Sequence, residues 1–215
     1  MASGFDYRQR QGRDFVARHG ETVFNAARRL QGDHPHTPLT RAGFAQADEM
    51  GRALRDLLGP RPKLTLWSSS AGRALQTLAI VTEHLELDWH RVRTDERLVE
   101  IDMGSWGGRY YADVAAEVGS VVDADGLLKC APDGERYEQI AARVGGWLAD
   151  TNDDASDRLV IMHGISSRVL RGVATGAAVD ACGAPVLGGH PQGSVSMIAG
   201  GVETLVHRGT GHAPA

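Results

Sequence analysis

The sequence predicts an α/β fold of three layers: helices on both faces of a mostly parallel sheet, one antiparallel edge region, and a small helical excursion over one end of the sheet. Three observations predict it. Short apolar runs alternate with stretches whose apolar residues recur every three or four positions. Leu159-Val160-Ile161-Met162 is a continuous apolar run, the pattern of a strand covered on both faces. Residues 194–199 and 202–208 flank Gly200-Gly201, which reads as a hairpin at the sheet edge.

Taken in order, residues 1–12 are polar, with Arg8, Arg10 and Arg13 close together, and read as a flexible tail outside the fold. Residues 13–215 read as one domain. Phe15-Val16-Ala17-Arg18 is a short strand that breaks into the loop His19-Gly20-Glu21-Thr22. Phe44, Ala47, Met50, Leu54, Leu57 and Leu58 then mark an amphipathic helix, with Thr40 as its N-cap and Gly59-Pro60 as its stop. A second strand, Leu64-Thr65-Leu66-Trp67, ends in Ser68-Ser69-Ser70 and leads to a helix through Leu75, Leu78, Ala79, Thr82 and Leu85. Residues 92–98 read as a third extended stretch, followed by Val99-Glu100-Ile101-Asp102 and a glycine-rich loop at 104–108. The segment 110–133 has no single period and reads as the helical excursion, about 102–135 in all. Tyr137, Ile140, Ala141, Val144, Trp147 and Leu148 mark the next helix. The buried strand at 159–162 ends at His163-Gly164, before a short helix through Val169, Leu170 and Val173.

Composition narrows the partners. In 215 residues, 42% are hydrophobic and 23% charged, an ordinary globular balance. Lys and Arg number 23 against 27 Asp and Glu, so there is no cation excess for a nucleic-acid backbone. No apolar stretch approaches the roughly 20 residues that span a bilayer, and the first residues do not resemble a secretion signal, so no membrane partner and a cytoplasmic location are expected. Cys130 and Cys182 stand apart, without metal-ligand spacing, and read as free thiols; no metal and no cofactor are expected. Asp123-Ala124-Asp125-Gly126 imitates the start of a calcium loop but lacks the later ligands in register, and reads as a turn. The oligomeric state is left open, the edge hairpin being one surface that could pair.

In an open parallel sheet, ligands bind beyond the carboxyl ends of the strands. Four reactive positions lie there: Arg18-His19 after the first strand, Arg73 one turn after the second, Glu100 after the third, and His163 after the fourth. Two imidazoles, two guanidiniums and a carboxyl suit phosphoryl transfer through a phosphohistidine. A neutral imidazole is nucleophilic near pH 7, and guanidiniums can pair with phosphate oxygens. A Glu kept protonated by its surroundings could donate to the leaving alkoxide and later deprotonate water. Arg18, Arg73 and the second histidine, a role that His163 fits, would balance the charge of the transferring group. Glu96 and Asp102 are neighbouring carboxyls that could stand in for Glu100.

These residues resemble the histidine phosphatase superfamily, the phosphoglycerate mutase-like group. The resemblance rests on Arg18-His19-Gly20-Glu21-Thr22, Asn25, Gln31-Gly32, Pro38-Leu39-Thr40 and Gly43. Ser68-Ser69, Arg73-Ala74, Gln76-Thr77, Leu98-Val99-Glu100, Gly104, Trp106 and His163-Gly164 follow in the family's order. It covers roughly residues 14–208. It implies His19 as the phosphorylated nucleophile, Arg18, Arg73 and His163 as the rest of the phosphate pocket, and Glu100 as proton donor. Asn25 would be a further phosphate contact, with Thr22 and Gln31 as additional substrate contacts. The chain departs from the family at Trp106-Gly107-Gly108, where many members have Trp-Glu-Gly, and at Ser68-Ser69-Ser70, where many have Ser-Ser-Pro. The Tyr-Gly-Gly-Leu-like run of the true mutases is absent after Arg97. The resemblance therefore implies a phosphatase acting without a metal on a small phosphorylated metabolite. A mutase, or a phosphate-ester or phosphoprotein binding module without turnover, are the alternatives.

Overall fold

A computed structural model describes residue 7, residues 10–123 and residues 127–212. The expected turn at 123–126 falls largely outside these residues.

Strand β1 (Asp14–Arg18) is buried along its whole length. A single-turn helix α1 (Val23–Ala26) follows, then α2 (Arg41–Leu58). The Thr40 hydroxyl accepts from Gly43 N–H at the start of α2, and Gly59, at φ 75°, ends it. Strand β2 (Leu64–Ser68) leads into α3 (Gly72–Leu85), and β3 is only Arg93–Thr94. Beyond come α4 (Tyr111–Val118), α5 (Tyr137–Asp150), β4 (Asp157–Met162), α6 (Gly164–Thr175), β5 (Val195–Ala199) and β6 (Val202–His207). The sheet order is β3-β2-β4-β1-β5-β6. β3, β2, β4 and β1 run parallel, and β5 and β6 add an antiparallel edge.

The period of two along β1 and β4 divides the core. Val16, Val160 and Met162 pack with α5 and α6, among them Ile140, Trp147 and Leu170. Phe15, Ala17, Leu159 and Ile161 pack with α2 and α3 through Met50, Leu54, Leu78 and Leu85. The expected three layers are therefore present. No helix among the described residues is long and apolar enough to cross a membrane.

Three expectations are corrected. The extended stretch at 92–98 pairs only through Arg93 and Thr94. Asp95 then accepts from Arg97 N–H at 2.9 Å and holds its guanidinium, which turns the chain into a 3-10 helix at Glu96–Leu98. Among the described residues of the excursion, helix is confined to a 3-10 turn at Gly104–Trp106 and to α4, and the chain continues with a lone bridge between Val122 and Leu128.

The third concerns the residues assigned to a polar tail. Tyr7 and Arg10 are buried. Asp14, at the start of β1, collects Arg158 Nε at 2.7 Å, the Tyr7 hydroxyl and Arg10 Nη1 at 3.3 Å, while the Arg158 guanidinium lies 4.5 Å over the Trp147 ring. The sequence separates Asp14 from Arg158 by 144 positions, so only sheet pairing shows that the tail's polar groups meet a buried ion pair. Asp14→Ala should destabilise the protein by about 3–5 kcal/mol, because two buried guanidiniums lose their counter-charge. Urea unfolding checks this; a change under about 1 kcal/mol would mean that the network carries no net stability.

Candidate active site

The carboxyl ends of β1 and β4 are adjacent, and the chain leaves each in a histidine. His19 N–H donates to Met162 O at 3.0 Å, tying the first loop to the end of β4. The two rings meet edge to face with centroids 5.1 Å apart. Gly20 is required by proximity, since a Cβ there would lie 2.3 Å from Gly43 O. Its N–H donates to Thr77 Oγ1 at 3.1 Å, which fixes the loop against α3.

Arg73, on the first turn of α3, is completely buried between the histidines. Its Nε–H is shared between His163 Nδ1 at 3.1 Å and His19 Nε2 at 3.3 Å. Both nitrogens must present lone pairs to it. His19 Nδ1 lies 2.7 Å from Gly20 O, a contact that requires a proton on Nδ1. His163 Nε2 is 2.7 Å from Ser69 Oγ. Both rings are thus neutral. Burial, then the positive charges of Arg73 and Arg18, hold the His19 pKa well below the ordinary 6.5. Burial, with Arg73 next, does the same to His163.

The guanidiniums are less free than paired phosphate binding would require. Arg73 Nη1 donates to His34 O at 2.6 Å and Thr37 Oγ1 at 3.0 Å, and Nη2 to Gly32 O at 2.8 Å. Arg18 Nη1 donates to His190 O at 2.8 Å, while its Nε is buried without a partner among the described residues. Burial lowers the pKa of each to about 10, against the raising influence of Glu100. The site therefore concentrates positive charge in a dry place, where a bound anion is favoured.

Of the three neighbouring carboxyls, Glu100 is the one that lines the cleft with Arg18 and His19. Glu96 accepts from the Ser70 hydroxyl and Asp102 from Gly104 N–H. Glu100 accepts from Ile165 N–H at 3.0 Å, Ser166 N–H at 2.8 Å and its neighbour Ile101 N–H at 3.0 Å. Three N–H donors thus face its carboxyl group, two of them from the first turn of α6. Asn25 and Gln31 also line the cleft, which holds about 60 Å³. Thr22 does not. It is buried, its hydroxyl lies 2.9 Å from Asn25 Oδ1 and also contacts Gln31 Oε1, so it orients those two amides from behind.

A family model for the histidine phosphatase superfamily, branch 1, matches residues 15–201. The chain belongs to that superfamily. Its curated relatives include a probable phosphoglycerate mutase, GpmB, of Citrobacter koseri, 33% identical over 163 residues that cover 71% of this chain and 69% of the relative. Among solved structures it is similar to a mycobacterial glucosyl-3-phosphoglycerate phosphatase complexed with VO3. That match has 26% identity and a TM-score of 0.73, and covers 87% of this chain and 92% of that one. YhfR of Bacillus stearothermophilus is also 26% identical, with a TM-score of 0.72 over 90% of this chain and 95% of that one.

In this histidine phosphatase, sequence reasoning missed four groups that build the site. Ser69 holds His163, Thr77 holds Gly20, and the carbonyls of Gly32 and His34 hold Arg73. Ser69 and Thr77 fall within the quoted motifs, a signal that they sit near the cleft but not which groups they hold. Backbone carbonyls leave no trace in a sequence. Tyr111 and Arg29 also line the cleft, whereas Trp106 is core and Tyr110 is exposed. No group of three or more His, Cys, Asp or Glu side chains among the described residues is placed to hold a metal ion.

The two depressed histidines make stability depend on pH. The unfolded chain binds protons as the pH falls through 6.5, while the folded chain does not until lower pH. Stability is therefore full above 6.5 and is lost on acidification, by about 1.4 kcal/mol per pH unit for each histidine. Melting temperatures measured between about pH 7.5 and about pH 5.5 should fall, and inorganic phosphate should offset the fall by favouring the protonated rings. A flat profile without phosphate would contradict the buried neutral pair.

Proposed function

We propose that the chain is a phosphomonoesterase that hydrolyses a small phosphorylated metabolite in two steps through phospho-His19, without a metal. The observation that carries this reading is the shared Arg73 Nε–H between His19 Nε2 and His163 Nδ1, with His19 Nδ1–H committed to Gly20 O. This leaves an unprotonated Nε2 as nucleophile in a cleft that also holds Arg18 and Glu100.

In the first step the Nε2 lone pair attacks phosphorus, the P–O bond to the alcohol breaks, and the departing oxygen takes a proton from Glu100. A monoester whose second ionisation lies near about 6 can carry that proton in as its monoanion. The ring keeps its Nδ1 proton and becomes a phosphoimidazolium. In the second step Glu100 accepts a proton from water, the water oxygen bonds to phosphorus, and the P–N bond breaks. Arg18 and Arg73 supply the positive field that steadies the transferring group, and His163, neutral, holds the Arg73 guanidinium through Nδ1. Asn25 and Gln31 are placed to contact its oxygens.

The test is release of inorganic phosphate, in the presence of a chelator, from an aryl phosphate and a panel of metabolite phosphates. It is paired with acid- and base-stability of the trapped phosphoenzyme. Turnover with a base-stable, acid-labile adduct supports the reading, and turnover abolished by the chelator defeats it. The relatives named as probable phosphoglycerate mutases favour a second reading, return of the phosphoryl group to a bound acid phosphate. A positional isomer in place of free phosphate would identify it. Ligand held unchanged over hours would instead identify a binding module.

A further inference from the structure

We propose that Arg29 is a specificity-determining residue, and that it selects phosphomonoesters whose alcohol carries a second anionic group close to the ester oxygen. The inference deepens the phosphatase reading and takes its substrate from that reading.

Arg29 lines the same cleft as Arg18, His19 and Glu100. It is half-buried, and no carboxylate among the described residues pairs with it. The guanidinium is nevertheless held in place. Its Nε–H donates to Gly108 O at 2.5 Å. The group lies 4.5 Å over the Phe24 ring and 5.3 Å over the Tyr110 ring, and is therefore fixed by two aromatic residues. The backbone is tied as well: Leu30 N–H donates to Arg109 O at 2.8 Å, Tyr111 N–H to Arg28 O at 3.0 Å, and Gly108 N–H to Leu30 O at 2.7 Å. A two-strand strap thus carries Arg29 and Tyr110 together. The ring contacts and the Nε bond leave its Nη atoms without a protein acceptor among the described residues.

Such a cation differs from Arg18 and Arg73. Those two meet the histidines or face α6: a Cβ on Gly164, the first residue of α6, would lie 3.3 Å from Arg18 Cζ. Arg29 is on the strap, so an anion it binds belongs to the part of the substrate beyond the ester oxygen. A preformed guanidinium recognises a carboxylate or phosphate with little rotamer cost.

The experiment compares 2-phosphoglycolate with 2-hydroxyethyl phosphate, a pair of similar size that differs by a carboxylate. Calorimetric Kd values are measured for both on His19→Ala, which prevents turnover, and on His19→Ala combined with Arg29→Gln or Arg29→Lys. On His19→Ala the carboxylate ester should bind about 10-fold more tightly, the scale of one charge-assisted contact. Arg29→Gln should bring the ratio close to one while leaving the hydroxyethyl ester within about 2-fold, and Arg29→Lys should restore part of the preference. A ratio near one on His19→Ala overturns the proposal. Equal weakening of both esters by Arg29→Gln also overturns it, since that marks a strap support or a contact to the shared phosphate. Aryl phosphate turnover by the unaltered protein reports separately on the phosphatase reading. A selective ratio without turnover would keep the Arg29 assignment and remove the hydrolase.

Discussion

His19→Ala will reduce phosphate release from every substrate by about 10⁴-fold or more, because it removes the atom that forms the bond to phosphorus. The loss should not depend on the leaving group. No other imidazole can take over: His163 is buried, with Nδ1 turned to Arg73 and Nε2 to Ser69. The variant should still bind phosphate through Arg18 and stay folded, since alanine leaves no unpaired charge behind. Steady-state release, with a melting curve as control, is the measurement. Residual activity within about 10-fold of the unaltered protein would show that His19 is not the nucleophile.

Glu100→Gln will separate substrates by their alcohols. A phosphate ester of an alkyl alcohol needs a proton as the P–O bond breaks, and its turnover should fall by about 10²–10⁴-fold. An aryl ester with an acidic phenol leaves without that proton, so its first step should survive. Because Glu100 is also the base toward water, the second step should then be slow, and the phenol should appear in a burst stoichiometric with enzyme. The substitution has a structural cost that must be measured beside it. Glu100 accepts from both Ile165 N–H and Ser166 N–H, and an amide presents only one oxygen, so one donor at the start of α6 loses its acceptor. That costs about 1–3 kcal/mol, visible as a lower melting temperature. Equal losses for alkyl and aryl esters, with no burst, would leave Glu100 with only this structural role.

Much of the fold was legible because it depends on local pattern. The alternation of Phe15, Ala17 and Val16, and the apolar run to Met162, placed two central strands; Thr40 and Gly59 bounded α2 as their chemistry requires. Short or irregular pieces were less legible. Residues 92–98 look extended, yet Asp95 and Arg97 close a turn on themselves after two paired residues. The tail was misread for a different reason: Tyr7 and Arg10 look solvated until the buried ends of Asp14 and Arg158 are brought beside them.

The sequence by itself determined the family, the layer architecture and which residue types gather beyond the strands, since strand and helix periods and ordered motifs are local properties of the chain. Tertiary structure alone decided what each group is free to do. It shared one Arg73 hydrogen between two histidines, spent the Nη atoms of Arg73 on loop carbonyls, turned Thr22 away from the cleft, and set Arg29 against the rings of Phe24 and Tyr110. The physical reason is that hydrogen-bond capacity is finite and directional. Which lone pair or N–H remains for a ligand depends on contacts between residues far apart in the chain, and burial then sets the charge that each one carries.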